Sequence, residues 1–227
     1  GRSSAIITVS KALKDALMEL GIDRERMTVL PNGVDLNQFY PCDMCESPID
    51  GNPSELNLIS VGNLVPAKGH HFVVEALRRM SNARLLIVGE GPYESELRRL
   101  ARSLGVDDRV RISPNVTQEV LRGYYCAADV LILASEREGM PNVVLESIAC
   151  GTPVVATAVG GIPEVLSDTR IGLMIPRPSA EAIAEAIAAL MQEKSDATLI
   201  RKYAERFDWS STVDGQLKIF ETVIEEG

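Results

Sequence analysis

Glu138 and Glu146 stand with seven residues between them, and the stretch they enclose opens Gly139-Met140-Pro141-Asn142. A carboxylate accepts hydrogen bonds from paired hydroxyls, so two of them around a tight turn are candidates for holding a polyhydroxylated ligand. Upstream, Ala128 to Ser135 reads as a β-strand; the pattern breaks at Gly139 and Pro141 and resumes as a helix over Asn142 to Ala149. A helix beginning there turns its first amides and the positive end of its dipole toward the loop, which favours anions and hydroxyl oxygens. Glu138 falls just before that helix and Glu146 about one turn inside it, so both face the crevice at the strand's carboxyl end. Taken singly, the first acid complements the dipole and the second is a solvated side chain. The combination with Gly139 to Asn142 is what points to ligand chemistry.

A cation for the same crevice is Lys68, in the run Ser60-Val61-Gly62-Asn63-Leu64-Val65-Pro66-Ala67-Lys68-Gly69. It follows the strand Leu56 to Val61 and precedes a helix beginning near Gly69, where loop amides and an ammonium meet one phosphate. On its own it is an ordinary solvated lysine. His70 and His71, at the start of that helix, read as helix-end or core-edge residues rather than bases.

The elements that must position these groups follow a regular rhythm. Short β-branched runs alternate with amphipathic segments: 56–61 then 72–80, 84–88 then 93–104, 110–112 then 119–125, 130–133 then 143–149, 154–156 then a short 162–166 turn, 173–175 then 180–191. This predicts an α/β protein with a doubly wound parallel sheet in three layers. A strand (Ala5 to Val9) and a helix (Lys11 to Leu20) precede it. Two amphipathic helices, 197–207 and 211–225, close the chain with no strand between them.

The ordered set Pro31-Asn32-Gly33-Val34-Asp35 with Phe39, Gly62 with Lys68-Gly69, Leu86-Ile87-Val88-Gly89-Glu90-Gly91-Pro92, Glu138 to Glu146, Ala149-Cys150-Gly151-Thr152-Pro153 and Gly160-Gly161-Ile162-Pro163-Glu164 resembles the retaining glycosyltransferases of the GT-B group 1, or family 4, class. The resemblance implies a Rossmann-like domain forming one half of a GT-B fold, the half that binds a UDP-, GDP- or ADP-linked sugar. It places Lys68 and Glu138 in catalysis, with Gly62, Asn63, Lys68, Asn115, Glu138, Gly139, Met140, Pro141, Asn142 and Glu146 around the donor. Glu138 and the turn amides would contact the sugar, and Glu146 the ribose. It implies retaining transfer of a hexose to a glycan or lipid-linked acceptor, with the leaving phosphate itself helping to deprotonate the acceptor. Two positions depart from the family pattern. Asn63 stands where an Arg is usual, and Pro114, in Ser113-Pro114-Asn115, where a Gly is often found in the base-binding loop.

The resemblance covers nearly the whole chain but half of such an enzyme. Residues 1–30 are expected to be the tail of an acceptor-binding N-terminal domain, 31–205 the nucleotide-sugar domain, and 206–227 a C-terminal helix that packs on the absent domain. Alone, such a fragment is expected to bind donor without transferring it, and to self-associate through the exposed helix.

Composition fits. The formal net charge of −9 argues against a nucleic-acid surface, so an anionic ligand must be held by local amides and one or two cations. No apolar run approaches the roughly 20 residues of a membrane span, and a cytoplasmic enzyme, peripheral to a membrane at most, is expected. The chain has no Asp-x-Asp, so no metal and no cofactor are predicted. Its four cysteines suit a reducing compartment; Cys42-Asp43-Met44-Cys45 reads as a surface loop, Cys126 and Cys150 as small core residues. Gly89-Glu90-Gly91 begins like a dinucleotide fingerprint, but Glu94 occupies the third glycine position. A nucleotide-sugar 2-epimerase of the same architecture and a non-catalytic nucleotide-sugar-binding module are the remaining alternatives.

Overall fold

The structure is a computed structural model and describes residues 5–42, 55–193 and 195–225. A small parallel pair, β1 (Ile6–Thr8) and β2 (Met27–Val29), flanks helix α1 (Lys11–Glu19). A six-stranded parallel sheet follows, built from β3 (Leu56–Val61), β4 (Ala83–Val88), β5 (Val110–Ser113), β6 (Val130–Leu133), β7 (Val154–Thr157) and β8 (Gly172–Ile175). Helices α2 (His70–Ala76), α3 (Glu94–Leu104), α4 (Gln118–Ala127), α5 (Asn142–Ala149), α6 (Ile162–Val165), α7 (Ala180–Gln192), α8 (Ala197–Ala204) and α9 (Trp209–Glu225) complete the chain order.

The strands of the large sheet lie in the order β5-β4-β3-β6-β7-β8. Counted within the sheet this is 3-2-1-4-5-6, the doubly wound order whose direction reverses between β3 and β6. The crevice at the carboxyl ends of those two strands is where such sheets bind ligands.

Period-2 alternation assigns the two faces. Ile59, Val61, Leu86, Val88, Leu131, Leu133, Val154 and Ala156 are buried with α4, α5 and α8. Their neighbours Leu58, Leu85, Ile87, Val130, Ile132, Val155 and Ile175 are buried with α2, α3 and α7 on the other side. Both faces being covered, the strands are apolar at nearly every position, as parallel sheets require. Each buried Leu or Ile contributes about 1.5–3 kcal/mol. That core fixes the strand ends as a rigid platform for the loops.

The expected α/β fold class and three layers are present. Element limits moved by a few residues: the helix expected over 72–80 runs His70–Ala76 and tightens into a 3-10 turn at Leu77–Arg79. β2, which the sequence reading missed, is a three-residue strand against β1. The helix α1 is docked at its start by Glu164, whose Oε1 accepts from the amides of Lys11 (2.8 Å) and Ala12 (3.3 Å). Segment 31–39 is held by Arg201, which donates to the carbonyls of Phe39, Ala149 and Leu36, and by the Val34 amide bonded to the Phe207 carbonyl at 2.8 Å. No described helix is long and apolar enough to cross a membrane.

Candidate functional site at the sheet switch point

Lys68 and Glu138 arrive from opposite sides of the switch point, on the loops after β3 and β6. The Lys68 Nζ donates to Glu138 Oε1 at 2.6 Å, and the Glu138 side chain is only 9% exposed. The loops are joined by the Glu136 amide, which donates to the Ala67 carbonyl at 2.9 Å. Gly69 explains how they approach. Its backbone is left-handed (φ 68°), and a Cβ there would lie 1.9 Å from the Ala134 carbonyl oxygen. Only glycine permits both the turn into α2 and the contact with the end of β6.

A second close approach seats Glu138 from below. A Cβ on Gly160 (φ 55°) would lie 1.7 Å from the Glu138 carbonyl oxygen, and the Gly161 amide donates to the Gly139 carbonyl at 2.7 Å. The Gly160-Gly161 turn thus fixes the backbone that carries the acid.

The Gly139–Asn142 turn is braced from segment 31–39, which follows β2. Asn32 Nδ2 donates to the Met140 carbonyl (3.1 Å) and to Asn142 Oδ1 (2.9 Å). Met140 and Pro141 are buried, whereas Asn142 is exposed at the first turn of α5. Asn32 was quoted in the sequence as part of a motif and given no role; its contacts with this turn supply one.

Glu146 sits one turn into α5 and lines a cavity of about 200 Å³ with Asn142, Gln118, Gln38, Asp35 and Trp209. The Tyr125 hydroxyl donates to Glu146 Oε2 at 2.9 Å. Burial raises the Glu146 carboxyl above its ordinary value, and the Tyr125 hydrogen bond opposes that shift in part. Tyr125 itself is fully buried and pushed up, first by burial and then by the Glu146 charge, so it remains the donor. Tyr125 was another residue missed in the sequence. No spacing rule pairs a residue on α4 with one on α5, because the two helices meet only where they pack side by side on one face of the sheet.

Gly62 lies beside the Lys68 side chain at the end of β3, and Asn63 is exposed on the same loop. Asn115 is exposed beyond edge strand β5, its amide facing Glu90 Oε1 at 3.3 Å. All the sequence-predicted positions therefore lie at the carboxyl side of the sheet, with Asn115 three strands from β6. His70 is a core residue: 1% exposed, its Nδ1 2.9 Å from the Ser60 hydroxyl, and burial lowers it to about 4. The nearby Asn63 and Gly62 backbone favours its charged form but does not overcome burial, and Nε2 has no partner within hydrogen-bonding geometry. It is neutral and structural near pH 7. The Gly89–Gly91 loop is occupied with packing, since the Leu64 amide donates to the Glu90 carbonyl and the Tyr93 amide to the Leu64 carbonyl.

Cys42, read in the sequence as part of a surface loop in a chain suited to a reducing compartment, is disulfide-bonded; Cys45 lies outside the described residues. Among the described residues, no group of three or more His, Cys, Asp or Glu side chains is arranged for a metal ion.

The family model for group 1 glycosyl transferases matches residues 49–207, and that for glycosyltransferase family 4 matches residues 1–38. The chain belongs to the group 1 glycosyl transferases. It is 36% identical over 226 residues to a D-inositol 3-phosphate glycosyltransferase of Mycobacteroides abscessus, covering 95% of this chain and 51% of that protein. A sucrose-phosphate synthase from Thermosynechococcus elongatus superposes with a TM-score of 0.91 at 26% identity, over 100% of this chain and 60% of that one. Anabaena Alr3699/HepE, solved with UDP and glucose, superposes at 0.84 and 24% identity, over 97% and 63%. This group 1 chain thus has the Rossmann-like fold found in GT-B transferases, and it spans about half the length of the relatives it matches.

Proposed function

We propose that the chain is the nucleotide-sugar-binding half of a glycosyl transferase, and that the switch-point crevice holds the donor. The observation that carries this reading is the meeting of Lys68 and Glu138 across the strands where the sheet order reverses. A diphosphate entering the crevice would share the Lys68 ammonium, which leaves the Glu138 carboxylate an acceptor for sugar hydroxyls. Breaking the sugar–phosphate bond leaves negative charge on the leaving phosphate. An ammonium already aimed at that position, in a half-buried site, stabilises the charge without reorganising. Retention of configuration follows if the acceptor enters on the leaving-group face and the departing phosphate takes its proton, so the protein acts by positioning and charge. No metal or cofactor enters this scheme.

Glu146, anchored by Tyr125 and facing its own cavity on α5, is the acceptor for the ribose hydroxyls. Asn63 donates to phosphate without charge. The UDP held by HepE makes uridine nucleotides the first to try. The acceptor would be bound by the rest of the parent enzyme, with α9 packing on it, so the 227-residue chain is expected to bind donor and transfer little.

The division between the two acids is tested by titrating Glu138→Ala and Glu146→Ala with a nucleoside diphosphate and its matching nucleotide sugar. Glu146→Ala is expected to weaken both ligands about ten-fold, and Glu138→Ala to remove only the sugar's added affinity. Equal losses for both ligands in both variants would refute it.

A further inference from the structure

Helix α1 begins with three amides, those of Lys11, Ala12 and Leu13, that no carbonyl within the helix can satisfy. Ser10 provides the local cap, its side chain accepting from the Leu13 amide at 3.1 Å. The other two amides are taken by Glu164, whose Oε1 accepts from Lys11 at 2.8 Å and from Ala12 at 3.3 Å although it stands 153 residues from Lys11 in the chain. A carboxylate there also complements the helix dipole. A nearby side chain would serve the helix equally well; what the distant one adds is a junction.

The junction leads to the site. Glu164 lies on α6, whose Ile162 and Val165 are fully buried, and its own amide donates to the Gly161 carbonyl at 3.1 Å. The Gly161 amide in turn donates to the Gly139 carbonyl at 2.7 Å. Gly161 is enclosed from both sides, since a Cβ there would lie 2.5 Å from the Gly139 carbonyl oxygen and 2.9 Å from the Ser10 Cβ. Val9, just before the cap, packs against Gly139, where an added Cβ would lie 3.4 Å from its Cγ2. The Val9–Ser10 corner is therefore stacked on the Gly160–Gly161 turn, and that turn on the backbone of Glu138 and Gly139.

We propose that Glu164 is a positioning residue for Glu138: it clamps the corner between β1 and α1 onto the turn that seats the acid, so that the acid is in register for the sugar only while that corner is docked. This rests on the reading of Glu138 as the acid that meets the donor's sugar. Glu164 itself touches no ligand. The ion pair with Lys68 holds only the end of the Glu138 side chain, so its backbone must be fixed by other contacts, and the Gly160–Gly161 turn supplies them. Lys68 is set by its own loop, through Gly69 and the end of β6. Loosening the clamp therefore shifts the contact with sugar and leaves the phosphate's cation in place.

The experiment is calorimetric titration with UDP and UDP-glucose, and with GDP and GDP-mannose, of wild type, Glu164→Ala, Glu164→Gln and Ser10→Ala, together with amide hydrogen exchange on each ligand-free chain. The Asn32 bonds to Met140 and Asn142 remain in every variant, so the Gly139–Asn142 turn stays folded. Glu164→Ala is expected to keep its affinity for the diphosphate and to lose about five-fold of the affinity that the sugar adds. Glu164→Gln, which retains an oxygen toward both amides, restores most of it. Ser10→Ala speeds exchange in α1 but leaves the sugar's added affinity intact, because the Glu164 contact survives. In the ligand-free chain Glu164→Ala speeds exchange at Lys11 and Ala12 and also at Gly161. Exchange that rises at Lys11 and Ala12 but not at Gly161, or an equal loss of sugar affinity in Ser10→Ala and Glu164→Ala, would make Glu164 a helix cap only and overturn the proposal. A wild-type chain to which the sugar adds no affinity, or that binds none of the four ligands, would instead refute the role given to Glu138, and the clamp is then decided by the Gly161 exchange alone.

Discussion

Glu146 is the residue where stability and binding oppose each other most directly. Its carboxyl is raised by burial, so the folded chain holds that proton more tightly than the unfolded chain, whose ordinary value is 4.5. Stability from this group is complete below that value and is lost as pH rises through the folded value, leaving a fixed cost at neutral pH. Glu146→Gln keeps an oxygen for the Tyr125 hydroxyl and removes the buried charge. It is therefore expected to melt at a higher temperature than wild type at pH 7, with the gap closing below pH ~4, while nucleotide affinity falls. Thermal melts across pH check this; a variant less stable at pH 7 would mean that the Tyr125 bond outweighs the burial of charge. His70 carries the opposite lesson. Its position beside Lys68 suggests chemistry, yet its packing against Ser60 and its burial make it part of the core.

At the scale of elements, the loops after β3 and β6 work as one unit because Gly69 lets them touch. Gly69→Ala forces a left-handed backbone onto a side chain and drives its Cβ into the Ala134 carbonyl. The strain alone costs about 1–2 kcal/mol, and relieving the clash must separate Lys68 from Glu138. A loss of at least that stability in denaturant unfolding, with nucleotide binding weakened in whatever fraction stays folded, is expected; unchanged binding would mean that the pair does not depend on this contact. The strands of the large sheet were legible because apolar runs bounded by glycine and proline specify buried parallel strands; β3 matches its expected limits residue for residue, and β6 occupies the centre of the Ala128 to Ser135 run. β2 was not legible, since Met27-Thr28-Val29 is too short for any period and exists by pairing with β1. The acids and the lysine of the site could be read from motif spacing. Their supports, Asn32, Tyr125 and the Gly160 turn, could not, because those contacts span up to 110 residues and are made only by the tertiary fold.

Over the whole molecule the notable surface is α9. Val213, Leu217, Phe220 and Ile224 recur at intervals of four, three and four residues and are 44–78% exposed. That spacing places them on one helix face. Contiguous exposed apolar faces of this kind mark interaction surfaces, and the proposed packing of α9 on the remainder of the enzyme gives this one a role. The isolated chain is expected to associate with rising concentration, and Leu217→Lys with Phe220→Lys to suppress that association. Sedimentation velocity reads the outcome directly; a wild-type chain that stays monomeric at all concentrations would contradict it.

The most direct test of the switch-point site is calorimetric titration of the wild-type chain and Lys68→Ala with UDP, GDP and ADP and their monophosphates. Saturable binding of one diphosphate is expected, weakened about ten-fold or more by Lys68→Ala, with the matching monophosphate far less affected. Diphosphate binding of full strength in Lys68→Ala, or an equal loss for mono- and diphosphate, would contradict the placement of the leaving phosphate beside Lys68 and Glu138.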